Sequence, residues 1–175
     1  MTTHRIALVV TGAYLWIIML LLGGIAQETF MIYPNIFADP PRSIELAREF
    51  FAASPPSEYF RPTGLACWLF GAATVALSWR ARRARLWLVG SVAMIGAEGL
   101  WSMIFAWPRN AVLFEGVAQH PVEVILQTAQ EFQALHWARV VFNAAAAVLA
   151  FVGFLRLYQE RVLAESARDR VSAQY

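Results

Sequence analysis

Between Ile6 and Ala26 the chain runs without a single charged side chain. At a helical rise of about 1.5 Å per residue, that run spans roughly 30 Å, the thickness of a bilayer core. Such a segment has few ways to hide its surface, and a membrane helix is the simplest. Arg5 precedes it, as a basic residue precedes a signal peptide. A signal-peptide core is only about 7–15 residues long, so a retained first helix is expected.

The rest of the chain repeats the theme. Apolar segments at 62–79, 86–107 and 133–155 follow the first one at 6–26. Overall 59% of residues are hydrophobic and 15% charged, against about 45–50% and about 25% in soluble domains. The expected fold is all-α, a single integral membrane four-helix bundle over 1–175, with the tail 156–175 charged and helical before it frays. The net charge of +2 and arginines clustered at loops argue against nucleic acid as a partner. Cys67 is the only cysteine, so no intrachain disulfide forms, and its apolar setting suits packing better than reactivity.

Prolines punctuate the connections. Pro34, Pro40-Pro41 and Pro55-Pro56 break the long polar interval 27–60. Between them 42–53 has the spacing of a short amphipathic helix, capped by Asp39 or Ser43 and lying at the membrane interface. Pro62 is expected to start the second span and Pro108 to stop the third, leaving 111–121 as a second outer connection. Arg5, the cluster Arg80–Arg85, and Arg156, Arg161, Arg168 and Arg170 all fall on one side of four spans, whereas acidic residues dominate the other. The positive-inside rule then places both termini in the cytoplasm of a multi-pass protein of the plasma or inner membrane. No internal repeat or domain boundary is visible. Small residues such as Gly90, Gly96, Ala146 and Gly153 supply close helix packing and leave homo-oligomers open.

Against this apolar background the ionisable residues stand out. His136, Arg139 and Asn143 are spaced i, i+3 and i+7, on one face of the fourth span. Glu98 lies within the third span and Glu28 at the end of the first, with Arg109-Asn110 beyond the third. All gather toward the outer half of the bundle. A carboxylate in mid-helix costs about 2.5–3.5 kcal/mol on insertion scales, so Glu98 needs a partner, and Arg139 is the one at comparable depth. That pair can be functional or can simply hold helix register. His136 can take up a proton near neutral pH and act as a general base. A hydrogen bond to a neighbour, or a ligand role toward haem or a metal, is the alternative. Glu28, Glu98 and His136 make a two-carboxylate, one-histidine set without a local spacing motif, so no cofactor is expected. Phosphate loops, zinc patterns and nucleophile elbows are absent from the sequence.

Three motifs carry a resemblance: Tyr33-Pro34-Asn35, Phe105-Ala-Trp-Pro-Arg-Asn110 with Leu113-Phe114, and Leu135-His-Trp-Ala-Arg139. In these the chain resembles the DUF1772 family of small four-helix membrane proteins, which includes the anthrone oxygenases. The resemblance implies an oxygenase or oxidoreductase acting without a cofactor on a lipophilic, anthrone- or quinol-like substrate drawn from the lipid bilayer. In that reading His136 is the base, Arg139 stabilises the developing oxyanion and Glu98 holds Arg139. Asn143, Asn110 and Glu28 contact the substrate, and Tyr33, Trp101, Phe105 and Trp137 wall its pocket. The competing reading is a non-catalytic membrane protein that binds a lipophilic ligand or a partner subunit; a transporter ranks third.

Overall fold

The computed structural model describes residues 3–172, and helices account for nearly all of them. Helix α1 (Thr3–Gln27) continues through a π-helical turn, Glu28–Ile32, into the short α2 (Tyr33–Ile36). A loop carrying α3 (Arg42–Phe50) leads to α4 (Pro56–Leu77). Helix α5 (Arg82–Trp101) continues through the π-helical turn Ser102–Ala106, α6 (Trp107–Asn110) and a second π-helical turn, Ala111–Glu115. After a 3-10 turn, Val117–Gln119, α7 runs from Val122 to Ser172. Four helical rods, Arg5–Ile36, Pro56–Leu77, Arg82–Glu115 and Val122–Glu160, are long and apolar enough to cross a membrane. No strand occurs among the described residues.

Two prolines expected to bound spans, Pro62 at the start of the second and Pro108 at the end of the third, lie inside helices instead. Pro108 lies inside the third rod and Pro62 inside α4, so the third span is not stopped at 107, and most of the supposed outer connection 111–121 is helical. The reason is chemical. Proline removes one backbone donor and crowds the carbonyl four residues back, and a π-helical turn re-satisfies the displaced groups. Such a turn stands immediately before both Tyr33-Pro34 and Trp107-Pro108. In each, the aromatic residue's N–H reaches back five residues, Tyr33 to the Glu28 carbonyl and Trp107 to the Ser102 carbonyl. The cap expected on α3 is also different. Pro41 precedes the helix with no side-chain cap. Ser43 instead donates to the Ile36 carbonyl (2.6 Å) and accepts from the Asp39 N–H (3.1 Å), stitching the turn before the helix. The tail stays helical to Ser172, and the fraying expected at its very end falls on 173–175, outside the described residues.

The rods close into a ring. α5 packs along α7, α1 packs along both α4 and α7, and a lighter α4–α5 contact completes the circuit. Three apolar layers fill it. Ala7, Ala84, Leu88 and Leu157 form one near the chain termini; Tyr14, Ile18, Ile25, Cys67, Ile95 and Ala146 form the middle one. Tyr33, Ile44, Leu113, Ile125 and Phe132 form the layer beneath α3. The Tyr14 hydroxyl meets Ser91 Oγ at 3.1 Å, and Ser91 donates to the Ala146 carbonyl at 2.8 Å, tying three rods together at mid-height. The outward faces are as apolar as the core: Trp16 is 73% exposed, with Leu65, Leu86, Val141 and Val148 exposed on the other rods. In water so much apolar surface would drive aggregation, whereas lipid solvates it.

The tightest crossing is between α5 and α7. A Cβ on Gly153 would stand 2.5 Å from Leu88 Cδ2 and 2.7 Å from its Cγ, and Leu88 is completely buried. Gly153→Ala is therefore expected to destabilise the bundle by about 1–3 kcal/mol through overpacking. Thermal unfolding in detergent micelles reads this, and an unchanged midpoint would show the crossing to be looser than it looks.

Candidate functional site

Between the middle layer and the layer beneath α3, the core changes character. Glu28 enters from the π-helical turn after α1, Glu98 from the last turn of α5, and His136, Arg139 and Asn143 from α7. All but Arg139 are buried, and the Arg139 side chain keeps only a small exposed fraction. Arg139 Nε donates to Glu98 Oε1 at 2.8 Å, and its Nη1 stands 3.8 Å from Glu28 Oε2, an ion-pair distance too long for a hydrogen bond. Ser102 Oγ donates to the same Glu98 oxygen at 2.9 Å. The guanidinium also lies over the Phe60 ring of α4, 5.8 Å from its centroid, a cation–π arrangement. All four rods thus meet at one guanidinium.

The expected partnership of Glu98 with Arg139 is present, and Glu28 joins it as a second carboxylate. Counted formally, two carboxylates face one guanidinium. The cluster is therefore short of donors rather than acceptors. Glu28 Oε2, Asn143 Oδ1 and both His136 ring nitrogens are buried with no hydrogen bond of good geometry, although the Ile25 carbonyl lies near the imidazole and the Tyr33 hydroxyl near the Glu28 carboxylate. The polar atoms of this zone are therefore loosely paired, where buried side-chain polar atoms are nearly always well bonded. His136, only 3% exposed, is held by rings instead. Tyr33 meets it edge-on at 4.7 Å, and Phe132 stacks at 6.1 Å.

The other residues singled out from the sequence divide. Tyr33 does wall the histidine. Asn143 was expected to donate, but its Nδ2 already donates to the Arg139 carbonyl (2.9 Å), and what it leaves unpartnered is an acceptor. Trp101 donates Nε1–H to the Leu135 carbonyl (3.1 Å) and packs on Phe105 (4.3 Å). Those two rings brace α5 against α7 and make no ring contact with His136. Trp137 is 50% exposed and pairs with Phe30 on the outer surface. One residue on from His136 is about 100° around the helix, so Trp137 turns outward where His136 is buried. Asn110, in α6, makes none of the cluster's bonds. Arg109 instead forms a separate clamp, with Nη2 2.7 Å from Glu131 Oε2, Nε 3.1 Å from the same oxygen, and Nη1 donating to the Phe105 carbonyl.

Sequence reasoning missed Ser102 and Phe60. Ser102 was recoverable, because it is four residues after Glu98 and shares its helical face. Phe60 was not, since only the path of the 27–60 loop brings α4 against Arg139. Among the described residues no group of three or more His, Cys, Asp or Glu side chains is placed to hold a metal ion, so Glu28, Glu98 and His136 do not converge as the set entertained above. Chemically, the arrangement offers a basic imidazole, an acceptor-rich wall and one guanidinium held in place by Glu98. No protein-family model, curated protein or solved structure matches the chain.

Proposed function

We propose that this chain is a multi-pass membrane oxygenase of the DUF1772 type, with both termini cytoplasmic, acting without a cofactor on a lipophilic aromatic of the anthrone or quinol class. The observation that carries the reading is His136: a buried imidazole set between the Tyr33 and Phe132 rings, beside a cluster whose charged members are fixed by one another. The arginine-rich terminal end and the acidic loop end support the orientation.

In this reading a nitrogen of His136 takes a proton from the anthrone methylene. Arg139, fixed through Nε by Glu98, which Ser102 holds in turn, stabilises the charge that develops on the anthrone oxygen. The carbanion's electron pair passes to O₂, giving a carbon-bound hydroperoxide once the proton returns. Loss of water from that hydroperoxide leaves the ketone, so one CH₂ and one O₂ become one C=O and one H₂O. Tyr33 and Phe132 keep water from the base. Turnover of anthrone by the purified protein in nanodiscs, followed by quinone absorbance and O₂ uptake, tests it. Equal rates in the folded His136→Ala variant would sink the proposal and leave a binding protein for a lipophilic ligand.

A further inference from the structure

The connection from α4 to α5 reads Arg80-Ala-Arg-Arg-Ala-Arg85, and its two alanines turn inward. Ala81 and Ala84 are buried in the apolar layer near the chain termini, with Ala7, Leu88 and Leu157. The backbone is tied as well: the Ala81 N–H donates to the Ser78 carbonyl and the Arg85 N–H to the Ala81 carbonyl, each at 2.9 Å. Arg80, Arg82 and Arg83 are left exposed. The Arg85 guanidinium lies over the Trp79 ring, 5.0 Å from its centroid. Arg5 and Arg156 flank the same layer, two residues before Ala7 and one before Leu157.

These cations have no matching anion. Glu160 reaches the connection, but its Oε1 accepts from the Arg83 backbone N–H at 2.9 Å, closing the start of α5. Among the described residues none of these guanidiniums lies within ion-pair distance of a carboxylate. The rest of the tail does not offset them, since Arg161, Arg168 and Arg170 outnumber Glu165 and Asp169. Membrane topology alone explains a surplus of positive charge at this end. It does not require the charges to be pinned on buried alanines and a stacked indole.

Depth points to the partner. Trp79 and Trp87 are exposed on either side of the arginines, and membrane tryptophans settle at headgroup level. Arg85, stacked on Trp79, is therefore held at the depth of lipid phosphates. A guanidinium suits phosphate oxygens because its paired N–H donors match their spacing. In the orientation proposed above this end meets the cytoplasmic leaflet, whose surface anionic lipids make negative.

We infer that the α4–α5 connection is a binding site for the headgroup of an anionic phospholipid, presented by Arg80, Arg82, Arg83 and Arg85, with Trp79 holding Arg85 in place. The site stands at the far end of the bundle from His136 and takes no part in the proposed reaction.

The test uses the purified full chain in neutral detergent micelles. Dioleoyl phosphatidylglycerol and dioleoyl phosphatidylcholine are the probes, counted on the protein by native mass spectrometry. Both carry a phosphate, but the choline cation cancels its charge in the second. The wild type is expected to hold phosphatidylglycerol about tenfold or more tighter, given the attraction of each arginine to a negative lipid surface. Changing Arg80→Gln, Arg82→Gln, Arg83→Gln and Arg85→Gln together is expected to bring the two lipids to near parity. The double variant Arg82→Gln/Arg83→Gln keeps the Trp79–Arg85 stack and is expected to fall between, so the test stands even if the fourfold variant does not fold. Arg42→Gln/Arg48→Gln, on α3 at the other end of the bundle, is expected to keep the wild-type preference.

Equal affinity of the wild type for both lipids would overturn the site, as would an undiminished preference in the folded double variant. An equal loss in the α3 variant would reduce the effect to overall charge and overturn it too. Displacement of phosphatidylglycerol by equimolar inorganic phosphate would overturn lipid as the partner.

Discussion

Arg139→Ala is expected to destabilise the bundle by about 3–5 kcal/mol, the usual cost of leaving a buried charge without its partner. The geometry makes the penalty severe. Glu98 would keep only the Ser102 hydroxyl, and Glu28 would lose the Arg139 cation. Two carboxylates would then face each other in an apolar interior where no water screens them. Arg139→Lys is expected to recover part of the loss, because an ammonium restores charge but not the planar fork that lets one group serve Glu98 and Glu28 together. Glu98→Gln in the Arg139→Ala background is expected to recover more than the two single changes predict, since it removes the stranded charge. Denaturant titration in mixed micelles reads the wild type and the four variants, the Glu98→Gln single change among them. A single-variant loss below about 1 kcal/mol, typical of exposed pairs, would show that the pair is wet.

His136→Ala is expected to behave in the opposite way, with turnover falling about 10²–10⁴-fold, the usual contribution of a positioned general base, while the fold survives. The imidazole is held mainly by ring contacts with Tyr33 and Phe132, so truncation strands no charged partner. The contrast between the two substitutions is itself diagnostic. A cluster that merely pinned helix register would lose stability with Arg139 and nothing measurable with His136. Turnover and thermal unfolding of wild type and variant under identical nanodisc conditions decide between them.

The meeting of Glu98 and Arg139 was legible in the sequence because each is costly alone in an apolar run, and depth left one plausible partner. The place of Glu28 was not. It read as the end of a span, yet the rod continues beyond it to Ile36, which turns a terminal residue into an interior one. Trp137 was misplaced for a different reason: a tryptophan beside the histidine in sequence is not beside it around the helix.

What the sequence by itself determined is the number of membrane-length rods, their apolar character and which side chains are too polar to face lipid. Those follow from composition and from a period of 3.6 residues, both local properties. Only the tertiary structure decided that Glu28 completes the charge cluster and that Phe60 lies under Arg139. A π-helical turn takes more residues than an α turn, so it rotates everything beyond it relative to the pattern read from sequence. Which faces then meet is settled by packing four rods around one another.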